Sequence, residues 1–251
     1  MRGLQDKVVI VTGAGSGLGR GMAERLAEEG SHVVVFDIDD AGAMETLANI
    51  PGGRFEHVDI ADYDVCASAV AAVVDEYGRI DALVNNAGWD AAMPFIETDP
   101  VLWQKIVAIN LTGPMNMHHV VLPQMLAQGR GKIVNIASDA GREGSSGESV
   151  YSACKGGVIA FGKTLSRELG RKGININTVC PGPSDTPLFA AFAGEGEAGQ
   201  KLRDSLARSI PLKRLGTADD IAGMVAFLCS DDADFIIGQT ISVSGGLTMH
   251  G

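Results

Sequence analysis

Val8-Val9-Ile10-Val11-Thr12-Gly13-Ala14-Gly15-Ser16-Gly17-Leu18-Gly19 is the stretch that decides the fold. Val8 to Val11 is a β-branched run without polar alternation, the pattern of a strand covered on both faces. The glycines after it permit a tight turn. From Leu18 the apolar residues recur at helical spacing (Leu18, Met22, Leu26) until Gly30 ends the helix. A turn without Cβ atoms lets the backbone approach a pyrophosphate, and the helix N-terminus adds N–H groups and positive dipole. The spacing is Gly-x-x-x-Gly-x-Gly, not the common Gly-x-Gly-x-x-Gly, so on its own the turn is as readily structural as nucleotide-binding.

The same alternation continues outward. Val33 to Phe36 is a second buried strand ending at Asp37, followed by a helix around 41–49 that Pro51-Gly52-Gly53 closes. Residues 54–58 form a third strand with Asp59 at its end, 63–77 is amphipathic, and Ile80 to Val84 leads into Asn85-Asn86-Ala87-Gly88. Residues 102–126 carry helical spacing, with Gly113 and Pro114 placed to bend or divide the helix. Lys132 to Ile136 leads to Ser138, then a Gly- and Ser-rich loop runs over 139–148. A helix over 151–169, a strand over 174–179, the Pro181-Gly182-Pro183 break, a helix over 219–229 and a strand over 240–243 complete the pattern. Buried strands each followed by a helix predict an α/β fold, a doubly wound parallel sheet of the Rossmann type. With no linker or repeat, residues 1–251 read as one dinucleotide-binding and catalytic domain carrying a small, mobile substrate lid over about 187–212.

Composition removes several function classes. The formal charge is −11, which argues against nucleic-acid binding through a broad basic face. No apolar run approaches the roughly 20 residues of a membrane span, and the N-terminus lacks an apolar signal region, so no membrane association is expected. The four cysteines are scattered without a Cys-x-x-Cys pair, which reads as reduced thiols in a cytoplasmic protein. Adjacent His118 and His119 point to different helix faces and read as surface or subunit contacts; no metal site is expected.

In a doubly wound sheet ligands sit at the carboxyl ends of the strands. Asp37, at the end of the second strand, would accept hydrogen bonds from ribose hydroxyls and repel a 2′-phosphate. Position 16 is Ser and no Arg follows Asp37 closely, so the expected cofactor is NAD rather than NADP. Tyr151 and Lys155 lie at i and i+4, on one helix face. A free tyrosine titrates near pH of about 10, and a neighbouring ammonium favours its phenolate. Tyr151 can then exchange a proton with an alcohol or carbonyl, while Ser138 donates a hydrogen bond to the same oxygen. Asn110 could hold a water linking Lys155 to solvent. A packing tyrosine and a surface lysine are the bland alternatives.

Taken together, Thr12 to Gly19, Asp59, Asn85 to Gly88, Asn110, Ser138, Tyr151-Ser152-Ala153-Cys154-Lys155, Pro181-Gly182 and Gly245-Gly246 resemble the short-chain dehydrogenase/reductase family from end to end. The resemblance implies the catalytic tetrad Asn110, Ser138, Tyr151 and Lys155. It implies cofactor contacts at Gly13, Ser16, Gly17, Leu18, Gly19 and Asp37, adenine contacts at Asp59 and Ile60, and backing by Asn86, Ala87 and Gly88. Tyr151 and Lys155 would meet the nicotinamide ribose, and Pro181, Gly182 and Thr186 would meet the carboxamide side. It also implies a homotetramer built through helices 102–126 and 151–169. Ser244 stands where an Asp commonly precedes the last Gly-Gly, and Cys154 stands where Ser is frequent; neither is expected to act in catalysis.

For substrate, Trp89, Met93, Leu188, Phe189 and Phe192 offer an apolar wall suited to a ring or acyl chain. Ala87-Gly88-Trp89-Asp90, Met117-His118-His119, Ser138-Asp139-Ala140, 144–148 and 243–249 are similar to 2-hydroxycyclohexanecarboxyl-CoA dehydrogenases, which act on a cyclic β-hydroxyacyl-CoA. Arg142, Lys201, Arg203 and Arg208 are then candidates for the CoA phosphates, with solvated surface charge as the other reading. Asp90 and Glu148 read first as solvated or capping residues, with substrate contact as the alternative. The leading expectation is a secondary-alcohol dehydrogenase on a cyclic or branched hydroxyacyl substrate. A 3-oxoacyl-thioester reductase and a cyclic- or sugar-alcohol dehydrogenase are the enzyme alternatives. A non-catalytic NAD sensor is disfavoured because the tetrad is intact.

Overall fold

The computed structural model describes residues 1–194 and 196–249. Among them, strands β1 (Val8–Thr12), β2 (His32–Asp37), β3 (Arg54–His57), β4 (Ala82–Asn85), β5 (Gly131–Ile136), β6 (Ile174–Pro181) and β7 (Thr240–Val243) form one sheet in the order β3-β2-β1-β4-β5-β6-β7. Every pairing is parallel. The helices are α1 (Gly17–Glu28), α2 (Asp40–Ala48), α3 (Tyr63–Tyr77), α4 (Pro100–Val107), α5 (Gly113–Gln128), α6 (Ala140–Glu143), α7 (Ser149–Leu169), α8 (Pro187–Ala193), α9 (Gly196–Ser209) and α10 (Ala218–Cys229).

Alternate strand side chains feed two cores. Val9, Val11, Val33 and Val35 pack on one face with Met22 and Leu26 of α1 and Ile221 and Val225 of α10. Val8, Ile10, Val34 and Phe36 pack on the other with Cys66 and Val70 of α3 and Met117 and Val121 of α5. All five residues of β1 are buried, as its unbroken β-branched run requires. The chain leaves β1 towards β2 and β3, then returns to β4 on the opposite side. The turns after β1 and β4 therefore diverge and open a crevice at their carboxyl ends.

One local expectation, a division of the helix at Gly113 and Pro114, is met, and two others need correction. The helix read over 102–126 is divided by a π-helical turn, Ala108–Thr112, just before Gly113 and Pro114. Proline is tolerated there because the first helical N–H groups have no intrahelical partner. The loop 139–148 contains α6, and the glycine-punctuated lid region folds largely into α8 and α9.

Asp81, ahead of β4, ties the sheet to the N-terminal segment. Its buried carboxylate accepts from the Val8 N–H at 3.0 Å, pairs with Arg79 and lies 3.4 Å from Lys7 Nζ. Burial alone would raise its pKa, but Arg79, the Val8 N–H and Lys7 together hold it below the ordinary value. A depressed carboxyl stabilises the fold above its unfolded pKa, and that contribution disappears as pH falls through the folded value. Asp81→Ala is expected to cost about 2 kcal/mol at pH 7, because the Val8 N–H loses its acceptor. Urea denaturation should show the wild-type advantage shrinking below about pH 4.

Candidate active site

The glycine turn is held against the end of β4 by a buried hydroxyl. Thr12 Oγ1 accepts from the N–H groups of Asn86 at 3.0 Å and Ala87 at 3.1 Å. The Asn86 amide donates to the Thr12 and Gly13 carbonyls, both at 3.0 Å. Gly13 has φ +64° and lies so close to Ala87 that a Cβ there would fall 2.7 Å from Ala87 Cα; one on Gly19 would fall 2.0 Å from the Gly13 carbonyl oxygen. Gly17, φ +54°, faces Thr186 and Pro187 across the crevice, with an added Cβ reaching only to 3.5–3.6 Å of them. Ser16 is exposed at the N-terminus of α1, and its hydroxyl makes no cap bond. Leu18 is half-buried against the core.

Asp37 completes this cradle. One carboxylate oxygen accepts from the Gly15 N–H at 2.6 Å and the other from the Asp39 N–H at 2.9 Å. Arg20 also reaches the turn, where its guanidinium donates to the Gly15 carbonyl at 2.6 Å and pairs with Glu45 at 2.9 Å. A glycine turn without Cβ atoms, free N–H groups at a helix start and an anchored carboxylate fit the pyrophosphate and ribose of a dinucleotide. Further along, Asp59 is exposed with its carboxylate on the Ala61 N–H at 2.9 Å, whereas the Ile60 side chain is buried and overlies Gly113. The Gly182 N–H donates to Val243, and an added Cβ on Gly182 would strike Ser244. Pro181 ends β6, and the Thr186 hydroxyl caps α8 by accepting from the Phe189 N–H.

The four expected catalytic side chains converge beside this cradle. Ser138 and Tyr151 share a hydrogen bond between hydroxyls. Lys155, one turn further along α7, is buried and donates to the Ile136 carbonyl at 3.0 Å, with its Nζ 5.3 Å from the Tyr151 ring centre. Asn110 sits in the π-turn, fully buried; its amide donates to the carbonyls of Trp89 at 2.6 Å and Ile106 at 2.9 Å. The insertion of one residue in a π-turn frees a side chain and carbonyls for this purpose. Gly88 lies beside Asn110 and Lys155, where a Cβ would come within 3.0 Å of Asn110 Oδ1.

The electrostatics differ from the simple expectation for Tyr151. Burial raises its pKa, and the Glu148 and Asp90 carboxylates add to the rise, while the bond with Ser138 opposes it. Lys155 is itself lowered to about 8 by burial. The lysine is directed at a backbone carbonyl rather than at the phenolic oxygen, so desolvation outweighs it. Two features carried no obvious signal in the sequence. Thr12 as a brace was hidden as one more residue of a buried run. The packing of α6 on α7, where a Cβ on Gly141 would fall 2.7 Å from Gly156 N, was hidden in an apparent loop, although paired small residues mark it.

Other side chains fall away from the chemistry. Arg142 donates to the Thr240 carbonyl and the Ser242 hydroxyl, which in turn donates to Asp139. Lys201 pairs with Glu197, and Arg203 pairs with Asp185 while lying 5.0 Å from the Phe189 ring. Trp89 and Met93 are half-buried, and Leu188 and Phe192 are exposed on the lid. His119 is exposed and bonds Tyr63, but His118 is not a surface residue. It is buried, lowered to about 4 by desolvation, and its Nδ1 lies 2.7 Å from the Pro114 carbonyl. No cluster of metal-ligating side chains occurs among the described residues.

A family profile described as enoyl-(acyl carrier protein) reductase matches residues 13–248. The chain is a short-chain dehydrogenase/reductase. It is 38% identical to galactitol 2-dehydrogenase of Agrobacterium fabrum over 250 residues, covering 97% of this chain and 98% of that one. It is 34% identical to the 3-oxoacyl-[acyl-carrier-protein] reductase of Thermotoga maritima, covering 98% and 99%. The crystal structure of a variant actinorhodin polyketide ketoreductase with NADPH superposes with a TM-score of 0.92 at 35% identity and full coverage of both chains. As a member of this family the chain is an oxidoreductase of alcohol and ketone groups that works with a nicotinamide cofactor and a small-molecule substrate.

The raised phenol gives a direct check. In protein without nucleotide, Tyr151→Phe is expected to remove no tyrosinate absorbance below pH of about 10, the ordinary tyrosine value. Ultraviolet difference titration of wild type against variant reads this, and a Tyr151-dependent signal near neutral pH would contradict it.

Proposed function

We propose that the chain is an NAD-dependent dehydrogenase of secondary alcohols whose substrate is a cyclic or branched β-hydroxyacyl-CoA. The observation that carries the reaction is the convergence of Tyr151, Ser138 and Lys155 beside the glycine cradle, with Asn110 locked to the Trp89 backbone. Tyr151 takes the alcohol proton, or returns one to a ketone. Ser138 donates a hydrogen bond to the reacting oxygen, and Lys155 sets the charge beneath the phenol. When bound, the nicotinamide accepts or gives the hydride. The half-buried Trp89 and Met93, with Phe189 on the lid, supply an apolar wall for the ring.

NAD is supported by Asp37 at the ribose position and by the engagement of Arg20 with Gly15 and Glu45, which leaves it committed when a 2′-phosphate would need it. The ketoreductase neighbour holds NADPH, so the cofactor ratio is a discriminating measurement. A second reading, a cyclic- or sugar-alcohol dehydrogenase, is favoured by one observation. Arg142, Lys201 and Arg203 already have partners in the chain, so few cations are left for CoA phosphates. We also read the protein as cytoplasmic and homotetrameric; its four cysteines are free and buried, in keeping with a reducing compartment.

Purified protein is expected to form NADH from 2-hydroxycyclohexanecarboxyl-CoA, and Tyr151→Phe should reduce kcat by about 10³-fold, the usual worth of a positioned acid/base. Turnover of cyclohexanol with the thioester no better would discard the CoA reading and retain the dehydrogenase. For the cofactor, kcat/KM should favour NAD over NADP by at least about tenfold, and Asp37→Ala should erase most of that preference. One lost ribose contact, with relief of charge repulsion, is of that size. A wild-type preference for NADP would overturn the assignment.

A further inference from the structure

Helix α6 has only four residues, too few to persist on its own hydrogen bonds. Asp139 stands at its N-cap, where a carboxylate ordinarily accepts from the first turn, yet it makes no cap bond. The side chain is turned to β7 instead. Asp139 is buried, and its Oδ1 accepts from the Ser242 hydroxyl, while Oδ2 has no hydrogen-bond partner among the described residues. The same Ser242 hydroxyl accepts from the Arg142 guanidinium at 2.9 Å, and Arg142 also donates to the Thr240 carbonyl at 3.3 Å. One serine on the edge strand of the sheet thus bridges an acid and a base of α6.

Backbone contacts complete the grip. The Asp139 N–H donates to the Pro181 carbonyl at 3.2 Å, at the end of β6. On the other side Gly141 lies so close to α7 that a Cβ would fall 2.7 Å from Gly156 N. Held between β7 and α7, α6 aims its first amides at Ser138. The Ala140 N–H donates to Ser138 Oγ at 3.1 Å, and the Gly141 N–H donates to the Ser138 carbonyl at 2.9 Å. A hydroxyl with one lone pair fixed by an N–H has a restricted direction for its own proton.

Taking Ser138 as the hydrogen-bond donor of the proposed reaction, we propose that Ser242, with Asp139 and Arg142, is a positioning residue for it: the bridge sets α6, and α6 aims the Ser138 hydroxyl at the reacting oxygen. None of the three has to touch substrate, and Arg142 is spent on the bridge rather than on a substrate phosphate. Without the Ser242 hydroxyl the buried Asp139 carboxylate has to find another donor. A carboxylate at the N-cap takes the N–H of Gly141 or Arg142. The turn that directs the Ala140 N–H at Ser138 is then lost.

The test is a double-mutant cycle on the full-length protein, with NAD and the better of 2-hydroxycyclohexanecarboxyl-CoA and cyclohexanol. Ser242→Ala is expected to lower kcat about tenfold, the share of one misdirected hydrogen bond, and to leave NAD binding unchanged. Ser242→Thr keeps the hydroxyl and should restore kcat. In a Ser138→Ala background Ser242→Ala should cost nothing more, because the group it aims is gone. Amide exchange at Ala140 should accelerate in Ser242→Ala and not in Ser242→Thr. Arg142→Met is made separately, with the same non-additivity expected, so a folding defect in one variant leaves the other to decide. Fully additive losses would reveal a merely structural role and overturn the proposal. So would an unchanged kcat in Ser242→Ala, or no recovery in Ser242→Thr. Accelerated Ala140 exchange in Ser242→Ala, beside a wild type that oxidises neither alcohol, would keep the bridge and reject the dehydrogenase reading.

Discussion

The site depends on one buried hydroxyl. Thr12 Oγ1 takes two N–H donors from the turn after β4, and the Asn86 amide answers by bonding two carbonyls of the turn after β1. Strand order forces these turns apart, and left alone each would expose backbone groups that the surrounding core could not satisfy. The brace closes them to a separation that tolerates no Cβ at Gly13. The cradle and the floor of the reaction site are consequently one rigid piece.

The side chains proposed for catalysis are held by a second set of backbone contacts. Lys155 is buried on the Ile136 carbonyl, and α6 is pressed on α7 where glycines face each other. That packing brings Ser138, at the exit of β5, to the Tyr151 hydroxyl. Its electrostatic consequence is costly for the phenolate: burial and two carboxylates raise Tyr151, and the lysine that would counter them is itself weakened by desolvation. The site is thus a proton donor in its resting balance. A group that adds positive charge at the ring of Tyr151 shifts this balance towards the base form by opposite-charge stabilisation.

Much of this was legible in the chain. The β-branched runs located the strands because a strand covered on both faces has no polar alternation, and the helix over 63–77 was readable to its ends. Asn110, Ser138, Tyr151 and Lys155 were picked out through the resemblance to the family and the i, i+4 spacing of Tyr151 and Lys155, not through apolar periodicity. What periodicity could not carry was the π-turn, since a one-residue insertion leaves the apolar repeat of residues 102–126 nearly unchanged while it moves Asn110 inward. Nor could it separate His118 from His119. Both fit an amphipathic helix, and only the position of Phe161, whose ring meets His118 edge-on at 5.1 Å, shows which is enclosed. Arg142 illustrates a related point: a cation near a pocket in sequence can point to an adjacent strand, here the Thr240 carbonyl.

Charge distribution then separates the two ends of the crevice. At the nucleotide end Asp37 is satisfied by two N–H donors and is a plain acceptor. At the substrate end Asp90 and Glu148 face each other and Lys155, in a chain whose formal charge is already −11. Gly15 supplies one N–H to Asp37, and the turn around Asp90 supplies the Ala91 N–H while its Trp89 N–H goes to Asn110 and its Met93 N–H to Gly147.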